Sequence, residues 1–155
     1  MRLYLVQHAL AKPKDEDPNR SLSEQGLAEL SKIMTFLETY ENLRIGAIFH
    51  SGKTRALQTA EEFHKQLQPQ PKLIESHGLG PMDSPGIWKE KANNLDNESM
   101  IVGHLPHLGR LASLLICGVH DIPIIRFYNS GIVCLNRDNG SNWIFEWAVI
   151  PNILK

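Results

Sequence analysis

The sequence has little cysteine, no excess of either charge and no long apolar run, and each shortage excludes something. Its 155 residues include two cysteines, Cys117 and Cys134, set in apolar stretches (LLICGV and GIVCLN) without CxxC spacing. That pattern reads as two small buried hydrophobes, not as a disulfide framework or a redox pair. Sixteen Lys and Arg against seventeen Asp and Glu leave a formal charge of −1. This gives neither the global basic field of a nucleic-acid binder nor an acidic tail. No apolar run approaches the roughly 18 residues of a membrane span, and residues 1–6 are too few for the apolar core of a secretory signal. The expectation is a cytoplasmic protein with no nucleic-acid and no membrane partner. No repeat, low-complexity tract or linker divides the chain, and 155 residues at 42% hydrophobic suit one domain, residues 1–155, with a substantial core.

What the sequence does have is a repeated alternation of short apolar runs and amphipathic stretches. Residues 3–6 form a compact apolar run that ends at Gln7 and His8, and a polar, Pro-containing loop follows over residues 12–20. Ser23 then precedes a segment in which Leu27, Leu30, Ile33, Met34 and Leu37 recur at helical steps, so Ser23 reads as an N-cap and the helix as ending near Tyr40. Residues 45–49 repeat the pattern, ending at His50 and Ser51 before TRALQTAEEFHKQL, which places Leu57, Ala60, Phe63, His64 and Leu67 on one face. Residues 72–75 read as a third strand, residues 87–93 as a short helix and residues 100–102 as a fourth strand. Pro106 suits the first turn of a helix through Leu108, Leu111, Ala112 and Leu115. Residues 122–127, 131–135 and 143–149 read as strands, the last two joined by a hairpin turn at Asp138, Asn139 and Gly140. The alternation predicts an α/β sandwich with a mostly parallel sheet and an antiparallel closing hairpin, whose ligands bind beyond the carboxyl ends of the strands.

Three of these strands end at or just before a histidine: His8, His50 and His104. A single strand-end histidine is easily satisfied by loop backbone. Three together, where the fold class puts a site, point to chemistry. Arg55 falls in the first turn of the second helix, where a cation opposes the positive end of the helix dipole. An anion bound there removes the conflict, because helix N–H groups and a guanidinium fork both converge on phosphate oxygens.

The segments LVQHA, NRSLSEQG, SGKTRALQTA, VGHLPHLG and NSGIV, in this order and spacing, resemble the histidine phosphatase superfamily, the phosphoglycerate-mutase-like group, and within it the small SixA-type phosphohistidine phosphatases. The resemblance covers almost the whole chain and implies a three-layer αβα sandwich with a mostly parallel central sheet. It makes His8 the nucleophile that accepts a phosphoryl group, with His104 as the second histidine of the pocket. Arg55 and Arg20 become phosphate-binding arginines. It also implies a metal-independent hydrolase with no cofactor. The substrate would be a phosphohistidine-bearing phosphotransfer or signalling protein, or a small phosphorylated compound. The physical logic is consistent: a neutral imidazole attacks phosphorus, and its reference pKa of about 6.5 leaves it largely neutral in the cell.

The sequence departs from the family pattern at Gln7, which stands where the family has arginine beside the nucleophile, and at Ala9, which stands where it has glycine. A neutral amide still donates hydrogen bonds at position 7, but weaker ones than a guanidinium gives. A phosphate-binding protein of the same fold with weak or no turnover is therefore the alternative reading. Larger superfamily members draw a carboxylic acid from the loop after the third strand, where Glu75, His77 and Asp83 are the candidates here. A phosphohistidine substrate relaxes the need for that acid. A third reading makes His104 and His107 metal ligands together with His8 and Asp83, but Pro106 between the two histidines breaks the same-face geometry of a helical HxxH pair.

Overall fold

The computed structural model describes residues 1–40, 43–140 and 142–155. Strands β1 (Arg2–Gln7), β2 (Ala47–His50), β3 (Lys72–Glu75), β4 (Ser99–Gly103), β5 (Ile132–Arg137) and β6 (Trp143–Val149) form one sheet in the order β3-β2-β4-β1-β5-β6. The first four run parallel, and β5 pairs antiparallel with both β1 and β6. The sheet is thus mostly parallel, as expected, and the hairpin turn is held by Gly140 N–H donating to the Asp138 carboxylate at 2.9 Å.

Helices α1 (Glu24–Thr39) and α2 (Thr54–Gln66) cover one face, and α3 (Pro85–Asn93) and α4 (His107–Cys117) cover the other. The alternation of side chains along β1 explains the two cores: Tyr4 and Val6 join Leu30, Ile33, Ala60 and Phe63 on the first face, while Leu3 and Leu5 join Trp88, Leu108 and Leu111 on the second. Burial of a side chain such as Phe63 contributes about 1.5–3 kcal/mol. Being buried on both faces is why the parallel strands read as continuous apolar runs. Among the described residues no helix is long and apolar enough to cross a membrane.

Ser23 caps α1 as its position predicts, accepting from Gly26 N–H at 3.0 Å and donating to the Leu10 carbonyl at 3.1 Å. Gly26 is required there, since a Cβ would run into the Leu10 backbone. Leu27 is exposed, so the buried stripe of α1 is Leu30, Ile33 and Leu37. Two expectations are corrected. Residues 122–127 form an irregular, largely exposed loop instead of a strand. Pro123 has no N–H to give a ladder, and the edges of β5 are already occupied by β1 and β6. Cys117 is exposed at the end of α4 and not a core residue, whereas Cys134 is buried; both are free thiols.

Candidate active site

β1 delivers His8 to the carboxyl end of the sheet, and the backbone around it is fully engaged. His8 N–H donates to the Gly103 carbonyl of β4 at 3.0 Å. Its carbonyl accepts from Asn129 Nδ2 at 2.8 Å. The next N–H, that of Ala9, donates to Thr59 Oγ1 at 2.9 Å, and that hydroxyl donates to the Arg55 carbonyl at 2.7 Å. The nucleophile candidate is therefore tied to α2 through the turn that carries Arg55.

The ring itself is oriented by what its two nitrogens face. Nδ1 lies 2.7 Å from the Ala9 carbonyl, which can only accept, so Nδ1 carries the proton of the neutral ring. The lone pair is then on Nε2, where Arg55 Nε–H donates to it at 3.2 Å. Burial pushes the His8 pKa down to about 4, the nearby charges of Arg55 and Arg20 act in the same direction, and the Ala9 carbonyl opposes them. His8 is neutral at physiological pH, with its nucleophilic nitrogen facing a cation.

His104 follows β4 and packs its ring 5.1 Å from that of His8, centroid to centroid. Its Nε2 meets Ser51 Oγ at 2.6 Å, and its Nδ1 is buried without a partner. Burial first, then the charges of His8, Arg55, Lys53 and His107, lower its pKa to about 3. Both histidines are thus held neutral in a pocket whose fixed charge is positive, which is the electrostatic condition for a phosphoryl dianion.

Arg20 reaches the same pocket from the loop between β1 and α1. The Asp17 carboxylate accepts from the N–H groups of Asn19 and Ser21, both at 3.0 Å, and from the Ser21 hydroxyl. Within that turn Arg20 takes a left-handed backbone (φ 52°), a conformation that costs a non-glycine residue about 1–3 kcal/mol and concentrates at functional sites. Its Nε donates to the Lys12 carbonyl at 3.3 Å, and its charge lowers the pKa of both His8 and Arg55. Ser130 (φ 61°) is the matching left-handed residue across the site, and its N–H donates to the Gln7 carbonyl at 3.0 Å. Gln7 closes β1 and leaves its amide oxygen buried without a partner.

None of the three candidate acids hydrogen-bonds a ring nitrogen of His8 or His104. The Glu75 carboxylate packs against Gly52 and acts on His50, the His77 side chain is exposed, and Asp83 accepts from Gly80 N–H at 2.7 Å and acts on His107. The strongest influences on His8 and His104 are burial, the Ala9 carbonyl and their cationic and imidazole neighbours. His50 is buried, and its Nδ1 accepts from Gly52 N–H at 3.2 Å. His107 is buried in the first turn of α4, where burial lowers its pKa and Asp83 and the Gly78 backbone oppose that. Among the described residues no three His, Cys, Asp or Glu side chains gather as a metal-ligand set, so His8, His104, His107 and Asp83 are not brought together as one.

Four residues at the site carry no signal of their own in sequence. Ser51 bonds His104, Asn129 and Thr59 pin the backbone of His8 and Ala9, and Lys53 adds charge beside His104. The available hints are positional. Ser51 directly follows a strand end, Thr59 lies one helical turn beyond Arg55, and Asn129 opens the NSG segment.

No protein-family model and no curated protein matches the sequence. Solved structures do. A structure of the protein histidine phosphatase SixA complexed with tungstate is 25% identical, covers 100% of both chains and superposes with a TM-score of 0.87. A protein from Agrobacterium tumefaciens, provisionally assigned as the phosphohistidine phosphatase SixA, is 25% identical over 97% of each chain with a TM-score of 0.74. A phosphoglycerate mutase from Plasmodium falciparum, 18% identical, shares the fold over 94% of this chain and 88% of its own, with a TM-score of 0.66. The architecture is therefore that of the phosphoglycerate-mutase-like histidine phosphatases, and the resemblance read from the sequence holds across the whole structure. These neighbours support phosphatase chemistry for this chain.

Proposed function

We propose that this protein is a phosphohistidine phosphatase, a single domain that hydrolyses phosphohistidine on a phosphotransfer or signalling protein through a covalent intermediate on His8. One observation carries the reading: His8 presents a lone pair on Nε2 beside neutral His104, and the charges acting on it are those of Arg55 and Arg20.

The substrate's phosphorylated imidazole, carrying a proton on its other nitrogen, is attacked at phosphorus by His8 Nε2. The new P–N bond forms as the old one breaks, and the substrate histidine leaves as a neutral imidazole. Nucleophile and leaving group are the same chemical group, so the transfer is close to symmetric and needs no enzymatic acid. Charge spread over the equatorial oxygens in the transition state is met by Arg55 and Arg20, with His104 as a further donor once it turns from Ser51. Water then attacks the phosphorus, the P–N bond to His8 breaks, and the water's protons leave on inorganic phosphate. His8 is returned neutral with its proton on Nδ1. An alkoxide leaving group has no such symmetry and would call for a general acid, a need that a phosphohistidine substrate removes. The reading without turnover rests on Gln7 alone, and no other observation at the site favours it.

The test compares hydrolysis of phosphoramidate and a phosphohistidine peptide with that of alkyl phosphomonoesters, with and without EDTA. Phosphoramidate-type substrates should outpace the monoesters at least tenfold, and EDTA should leave the rates unchanged. Equal rates on both classes, or activity lost to the chelator and restored by zinc or manganese, would contradict the proposal.

A further inference from the structure

An exposed apolar groove is lined by segments that adjoin His104 and Asn129 in the chain. Leu105, the residue after His104, is 42% exposed, and across a space of about 760 Å³ stand Ile122 and Ile124, 51% and 37% exposed. Single exposed apolar residues are ordinary, but several facing one another across a groove mark a surface that something covers. Both walls are anchored to the site. One begins beside His104. The other, the 120–127 loop, runs into Asn129, which holds the His8 carbonyl, and Ser130, which holds that of Gln7. A protein seated in the groove therefore lies next to the two histidines.

Cations predominate among the charged groups of the groove, two arginines to one carboxylate. Arg110 and Arg126 line it, the latter over the Tyr128 ring at 5.7 Å from its centroid. Asp121, the lining carboxylate, is engaged by the neighbouring His120 at 2.8 Å. A second copy of this chain is a poorer fit than an acidic partner, because a two-fold contact would gather both copies' arginine pairs with only Asp121 of each copy to offset them.

We propose that the groove docks an acidic, apolar-faced surface of the phosphohistidine-bearing protein, with the isoleucines and Leu105 burying its apolar side chains and Arg110 and Arg126 meeting its carboxylates. This rests on the phosphohistidine reading and adds to it where the substrate protein is held. It makes substrate discrimination a property of residues that never touch the phosphoryl group, and electrostatic, hence salt-sensitive.

The experiment uses two helical phosphohistidine peptides with the same Leu and Ile positions, one flanked by Glu and one by Lys, with phosphoramidate as the substrate that cannot reach the groove. At low salt kcat/KM should favour the acidic peptide at least tenfold. Ile122→Asp should remove most of that preference, and R110E/R126E should reverse its sign, with phosphoramidate rates within twofold of wild type throughout. Equal rates on the two peptides, a preference that survives both variants, or a parallel loss on phosphoramidate would overturn the proposal. So would a wild-type dimer in sedimentation that Ile122→Asp dissociates, which would give the groove to a second copy. Binding of the unphosphorylated peptides, followed by fluorescence anisotropy, separates this proposal from the functional reading. Preferential binding of the acidic peptide by a protein that hydrolyses neither phosphoramidate nor phosphohistidine would refute the phosphatase and leave the docking surface standing.

Discussion

Nε of Arg55 lies 3.2 Å from Nε2 of His8, so a group that can only donate faces the one imidazole nitrogen that can attack. The contact is compatible with a neutral His8 and hostile to a protonated one. When a phosphoryl group arrives, the same guanidinium is already within reach of its oxygens. Arg55→Ala removes a charge-assisted hydrogen bond of about 1.5–3 kcal/mol and should lower kcat/KM for phosphoramidate roughly 10- to 150-fold. Arg55→Lys keeps the charge without the planar fork and should lose less. An unchanged rate in the alanine variant would put the phosphoryl group elsewhere.

The pH dependence follows from the depressed pKa of His8. Protonation occupies the lone pair, so kcat/KM, corrected for the substrate's own protonation, should hold from about pH 8 down to about 5 and fall below about 4. An ordinary histidine would already have halved the rate near pH 6.5. Stability moves in the same direction. His8 and His104 have folded pKa values of about 4 and 3 against an unfolded reference of about 6.5. Between those values the unfolded chain binds more protons, and the free energy of unfolding therefore rises with pH. Stability should be complete above about pH 6.5 and decline as the pH falls toward 4. Urea midpoints at pH 7 and pH 5 check this, and the decline should shrink in His104→Gln.

Much of this arrangement was legible in the sequence because it rests on local rules. Ser23 caps its helix, Arg55 enters the first turn of α2, and both pocket histidines end buried parallel strands, each a consequence of short-range patterning. Residues 122–127 misled because an apolar run with a β-branched composition reads as a strand whether or not a partner edge is free, and β5 had none to offer. Cys117 misled similarly, its apolar neighbours facing the core while it ends the helix in solvent. The roles of Ser51 and Asn129 depend on contacts 53 and 121 residues away, which no periodicity encodes. The acid candidates share that limit: neither the end of β3 nor the irregular loop after it states where Glu75, His77 and Asp83 point.

Gln7→Arg tests the departure from the family pattern. The amide leaves a buried oxygen without a donor, and the charges shifting His8 are those of Arg55 and Arg20 alone. An added guanidinium should strengthen transition-state binding by about 1–2 kcal/mol, roughly 5- to 30-fold in kcat. If Arg20 already supplies the missing charge, the gain should appear only in the Arg20→Ala background, where like-charge repulsion is gone. No gain in either background would mean that the phosphoryl oxygens do not approach position 7.

The central claim is that phosphate passes through Nε2 of His8. Rapid quench of the enzyme during turnover of a phosphohistidine peptide, followed by peptide mapping of the phosphoenzyme, tests it directly. The account predicts an acid-labile, alkali-stable phosphate on His8 that forms and decays at rates consistent with kcat and is absent from an inactive His8→Ala variant. Phosphate mapped to another residue, or His8→Ala turning over at near wild-type rate, would contradict it.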